Sequence, residues 1–137
     1  MPKKDKYHDA AKQALINDGW TVTHDPIYIS VLGTDFPADL GAEKIIAEKG
    51  IEKIVVEVKS FLGLSVVNEF HTVLGQFLNY ELGLSELESD REVYIGLTTT
   101  AYYRIEETPI LMKSIEKFSI KFVVFDKETK KVKKWIK

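Results

Sequence analysis

With 137 residues, 45% of them hydrophobic and 29% charged, the chain has the size and balance of one globular domain able to bury roughly two thirds of its unfolded surface, which excludes a disordered or membrane-embedded class. No apolar run is long enough to span a bilayer, the start M-P-K-K-D-K lacks the apolar segment of a signal peptide, and the absence of cysteine removes disulfides and thiolate metal sites, so a cytoplasmic location is the default expectation. A formal charge of -2 and a pI near 5.9 argue against indiscriminate nucleic-acid binding.

Lysines nevertheless crowd both ends: Lys3, Lys4 and Lys6 at the start, and Lys127, Lys130, Lys131, Lys133, Lys134 and Lys137 at the finish. A solubilising surface and a phosphate-facing edge are equally good readings of them. In chain order, Asp5 to Asp18 carries Tyr7, Ala10, Ala11, Ala14 and Leu15 at helical spacing and stops at Gly19. Trp20 to Ile29 is β-rich, interrupted at Asp25-Pro26, and Ser30 to Ala38, with Gly33, Thr34, Asp35 and Pro37, has a loop composition. Asp39 to Lys49 contains good helix formers but lies between turn signals. It is read as a strand because Lys49-Gly50-Ile51-Glu52 turns it directly into the next strand as a hairpin.

Ser65 predicts the N-cap of a helix running to Leu82 and closed by Gly83. A polar connection, Leu84 to Arg91, leads to a buried strand over Glu92 to Thr98, after which Thr99 or Thr100 caps a turn. Tyr102 and Tyr103 fall in an exposed-looking junction, and with Phe61 they stand where interface anchors would serve an obligate partner-binding subunit, core packing being the plainer reading of all three. Pro109 opens a helix over Ile110 to Phe118; Ile120 to Phe125 is a strand; Asp126 to Thr129 turns into a final strand, Lys130 to Ile136, anchored by Trp135. The expected architecture is α/β, a central mixed β-sheet flanked by helices, in one domain spanning residues 1–137.

The chemistry concentrates in Ile54 to Ser60, I-V-V-E-V-K-S, an apolar strand with two opposite charges inside it. Residues two apart on a strand share a face, so Glu57 and Lys59 point one way while Val56 and Val58 point the other. A buried charge needs a partner, a metal or a substrate to compensate it. Asp39, in F-P-A-D-L, is a second carboxylate that a neighbouring strand brings beside Glu57. Two carboxylates suit a hard divalent cation, and an adjacent lysine suits phosphate charge or a nucleophilic water. A plain surface ion pair between Glu57 and Lys59 is the competing explanation, weakened by apolar neighbours on both faces of the strand.

With these residues in place, the chain resembles the restriction-endonuclease-like superfamily, PD-(D/E)XK. The resemblance implies that Asp39, Glu57 and the Val58 carbonyl hold Mg²⁺ or Mn²⁺, that Lys59 assists the attacking water, that Asp9 on the first helix joins the metal site, and that Gln76 on the second helix is a polar helper. More narrowly, H-D-A-A-K-Q-A-L-I-N-D-G-W, F-P-A-D-L-G-A-E-K and V-E-V-K-S-F resemble the XisH family, the fdxN element excision controlling factors of cyanobacteria, over nearly the whole chain. One departure is that the proline stands two positions before the aspartate, in Pro37-Ala38-Asp39. The resemblance implies control of DNA-element excision by a site-specific recombinase, beside a partner of the XisI kind. Catalysis on DNA and a catalytically silent binding module both stay open, as do a monomer and a homo-oligomer.

Overall fold

The computed structural model describes residues 4–137, so Lys3 lies outside the described residues. Four helices and eight strands follow in the order α1 (His8–Asn17), β1 (Thr21–His24), β2 (Ile27–Val31), β3 (Thr34–Ala38), β4 (Leu40–Ile46), β5 (Gly50–Val58), α2 (Val66–Glu86), β6 (Glu92–Thr98), α3 (Thr99–Glu106), α4 (Pro109–Phe118), β7 (Phe122–Asp126) and β8 (Lys131–Ile136). Six strands form one mixed sheet in the order β1-β4-β5-β6-β7-β8, with β5, β6 and β7 parallel and the outer pairings antiparallel. Helices cover both faces, which is the mixed α/β architecture expected.

Alternation along the central strands explains the two layers. On β5, Ile54, Val56 and Val58 pack with Ala11, Ala14 and Leu15 of α1 and with Trp20, while Val55 packs with Phe70, Val73 and Phe77 of α2. The anchor expected of Trp135 is present, for its ring lies 5.5 Å from Trp20 and 5.0 Å edge-on from Tyr94, closing the α1 layer at the β8 edge. No helix among the described residues is long and apolar enough to cross a membrane.

Several expectations are corrected. Ser30 to Ala38 is not a loop: β2 and β3 pair as a separate two-stranded sheet from Ile27↔Ala38 to Val31↔Thr34, turned by Leu32 and Gly33, both at left-handed φ (49° and 80°). The β4–β5 turn occupies residues 47–49, and Gly50 already begins β5. Gly83 does not end α2. It lies inside the helix, where a Cβ would come within 3.0 Å of Ile29, so the missing side chain lets the β2–β3 hairpin dock against the helix. Thr98, not Thr99 or Thr100, caps α3 by accepting from the Ala101 N–H, and Tyr102 is buried edge-on against Phe122. Tyr103 is exposed as expected.

Candidate functional site

Asp39 is the one residue between β3 and β4, the point where the chain leaves the small sheet and enters the large one. Leu40 pairs with Val56, which sets Asp39 opposite Glu57 across the antiparallel ladder. Their main chains and carboxylates are interlocked: the Asp39 N–H donates to Glu57 Oε1 at 3.1 Å, and the Val58 N–H donates to Asp39 Oδ2 at 2.7 Å. Lys59, whose own N–H continues the ladder to the Gly96 carbonyl, holds its Nζ 3.8 Å from Glu57 Oε2. From α2, Gln76 Nε2 donates to the same Oε2 at 2.9 Å.

These groups line an open cleft of about 360 Å³, with Asp5, Pro26, Pro37, Ala38, Val58 and Tyr80. Tyr80 braces its wall by donating its hydroxyl to the Pro37 carbonyl at 3.0 Å, and burial is the first cause that raises its phenol above the ordinary range. Glu57 is only 6% exposed. Burial, reinforced by the Asp39 charge and partly offset by Lys59, pushes its carboxyl up to about 8. Two carboxylates sharing a half-dry wall therefore repel, and a bound cation would relieve both the desolvation and the repulsion.

Asp39, Glu57, Val58, Lys59 and Gln76 thus meet in one cleft, whereas Asp9 does not join them. Its side chain is 86% exposed and faces Lys4 at 3.7 Å. Helical periodicity explains this, because Asp9 shares a face with exposed Gln13 and Ile16, while His8 shares one with buried Ala11 and Leu15. Two other residues near the start of the chain come close to the cleft instead. Asp5, just before α1, lines the cleft and accepts the Ser60 N–H on Oδ2 at 2.9 Å. His8, buried at 3% exposure, sits between acids, with Nε2 2.7 Å from Asp25 Oδ1 and Nδ1 3.7 Å from Asp39 Oδ1. Asp25 is desolvated, but its bonds to Lys12 and His8 outweigh that and lower its carboxyl below the ordinary range.

Among the described residues no three His, Asp or Glu side chains converge as a ready-made metal cage. Mg²⁺ does not need one, since it keeps several waters and is typically held by one or two carboxylates plus substrate phosphates. Asp39 and Glu57 fit that minimal donor set.

Known proteins share this fold and sequence pattern. The family model described as "XisH protein" matches residues 1–133. The chain is similar to the crystal structure of an XisH family protein from Nostoc punctiforme, with 37% identity over 97% of this chain and 100% of that one and a TM-score of 0.87. It is likewise similar to a fdxN element excision controlling factor protein from Anabaena variabilis, with 39% identity over 96% and 98% of the two chains and a TM-score of 0.86. Comparison with curated proteins finds no match. A family match over nearly all residues, with two similar folds well above 30% identity, makes this chain a member of the XisH family.

Proposed function

We propose that this protein acts on DNA as a divalent-metal-dependent phosphodiesterase of the PD-(D/E)XK kind, in the controlled excision of a DNA element. The observation that carries the proposal is the pairing of Asp39 and Glu57 on one cleft wall with Lys59 3.8 Å away on the same face. The excision role is carried over from the Anabaena variabilis relative's description, and a site-specific recombinase and an XisI-like protein are proposed as partners on the family resemblance alone. Mg²⁺ or Mn²⁺ would be held by Asp39, Glu57 and the Val58 carbonyl, and when bound it supplies Lewis-acid compensation of phosphate charge.

The chain's own residues supply the rest. Gln76 fixes the Glu57 carboxylate by its bond to Oε2, and the Val58 N–H fixes that of Asp39, so neither acid has to reorganise as charge develops. Lys59 cannot ligate a cation; its ammonium serves phosphate oxygens or holds the attacking water. In the reaction, water adds to phosphorus as one ester P–O bond breaks, leaving a hydroxyl on one end and a phosphomonoester on the other. The proton lost by the water is returned to the leaving oxygen through solvent.

The test is a cleavage assay with Mg²⁺ or Mn²⁺ on linear, supercoiled and branched DNA. Lys59→Ala should slow cleavage roughly a hundredfold, since one stabilising charge contributes on the order of 3 kcal/mol, with metal and DNA binding retained. A wild-type protein that neither binds metal nor cleaves, with partners present or absent, sinks the catalytic reading. The second reading, a silent binding module on the same fold, is favoured by the net charge of -2 and by the internal hydrogen bonds the two carboxylates already accept.

A further inference from the structure

The segment between β5 and α2 is held unusually firmly for a connection. Ser60 N–H is bound by Asp5, Gly63 N–H donates to Glu69 Oε1 at 3.2 Å, and the Arg104 guanidinium donates to the carbonyls of both Phe61 and Gly63. Phe61 takes a left-handed backbone (φ 53°) while its ring stays 2% exposed, a conformation that persists only where the surroundings hold it. At Gly63 a Cβ would stand 3.1 Å from the Glu69 carboxylate, so the bare backbone permits that clamp. The product of these restraints is two leucines aimed at solvent, Leu62 at 57% exposure and Leu64 fully exposed. A segment fixed from behind with its large apolar side chains outward is a contact surface.

Cations bracket it. On one side Lys59 enters the cleft described above, and on the other Ser60, Phe61 and Leu62 line a second cleft of about 150 Å³ with Thr100, Arg104 and Lys127. Of the neighbouring acids, Glu69 is turned inward onto the Gly63 N–H with its other carboxylate oxygen buried, and Asp5 accepts the Ser60 N–H. An apolar tip between positive groups suits a ligand that alternates anionic backbone with apolar stacked faces, and duplex DNA is such a ligand.

We propose that Leu62 and Leu64 form a wedge that enters a base step of duplex DNA beside the phosphate held at Lys59, with Lys127 facing a flanking phosphate and Arg104 holding the loop from behind. The inference rests on the DNA reading above and adds how the duplex is seated. It predicts local unstacking next to the cleft, which a fluorescent adenine analogue placed at successive positions reports as a rise in emission.

The experiment uses the full chain and short duplexes carrying that analogue. Wild type should give a rise confined to one or two adjacent steps. Leu62→Ala with Leu64→Ala should abolish the rise and weaken DNA binding about tenfold, close to the effect of removing one buried leucine, with unchanged circular dichroism because both side chains are exposed. Leu62→Met with Leu64→Met should retain the rise. If the double alanine variant binds and unstacks DNA like wild type, the wedge is refuted while the DNA reading stands; if wild type binds no DNA, both fall. If the double variant loses only retention of a partner protein, the surface is a protein contact and the wedge is likewise refuted.

Discussion

Replacing Glu57 by Gln isolates the electrostatic cost at the centre of the site. The Glu57 carboxyl is raised from 4.5 to about 8, first by burial and then by the Asp39 charge. A folded value above the unfolded one means that the protonated carboxyl supports folding below about pH 4.5, and this support is lost as pH rises toward 8. At 1.36 kcal/mol per unit, the whole difference corresponds to roughly 5 kcal/mol; water entering the open cleft reduces it, and ~2 kcal/mol is the expected loss between about pH 5 and pH 8. Glu57→Gln keeps the size and an acceptor for the Asp39 N–H but has no charge to desolvate. Gln76 Oε1, buried without a partner, offers an acceptor for the new amide after a simple flip. Urea unfolding in the presence of a chelator should therefore show wild type losing stability from about pH 5 to 8 and the variant holding level over that range. Saturating Mg²⁺ at about pH 8 should restore wild type and leave the variant unchanged. In calorimetry, metal binding near pH 7 should release protons, read from buffers of different ionisation enthalpy. Parallel stability curves for the two proteins across this range would refute the raised Glu57 carboxyl and with it the strained pair.

Two further outcomes are expected. Gly96→Ala should destabilise by roughly 1–3 kcal/mol in urea unfolding, since its Cβ would lie 2.9 Å from the stiff Val56 side chain at the middle of the sheet; a change under about 0.5 kcal/mol would mean that β5 and β6 relax freely. Replacing Lys130, Lys131 and Lys133 by Ser should flatten the salt dependence of DNA affinity by about one unit of slope for each phosphate no longer neutralised, an unchanged slope assigning these lysines to solvation. Lys134 is left out of that set, because its ammonium stacks 4.5 Å over the Tyr102 ring.

The sheet centre was legible because its signals are strong and local. The I-V-V-E-V-K run, the V-Y-I-G-L run and the Ser65 N-cap each state one structure, and β4 was recoverable despite helix-forming residues because turn signals left no room for a helix. The β2–β3 hairpin was not legible. Gly33, Asp35 and Pro37 look like loop residues, yet Pro37 sits in a two-stranded sheet paired with Tyr28, and Ile27, Ile29 and Ala38 face the core. Gly83 misled for the related reason that its role is tertiary: it makes room for the hairpin rather than ending the helix. At the site, spacing in β5 told which two charges share a face, but no spacing rule places Asp5 or Asp25, since each reaches its partner across a turn of the fold. Asp9 shows the converse, for helical periodicity alone put it on the wet face.

The position of Asp39 explains why the acids meet here and nowhere else along the long β4–β5 ladder. Further along that ladder opposite residues offer their N–H and C=O groups to each other, and charged side chains such as Glu43 and Lys53 settle toward solvent or toward opposite charge. At Asp39 the chain changes sheets, so its N–H is released from the ladder and turns to the Glu57 carboxylate. The Asp39 carboxylate in turn takes the Val58 N–H at the end of β5. A break in pairing thus supplies two donors that hold two like charges together, where an uninterrupted ladder would have none to spare. Filling the break should then cost the site before it costs the fold, because β2–β3 is anchored to α2 independently, through Ile29 against Gly83 and Tyr80 on the Pro37 carbonyl.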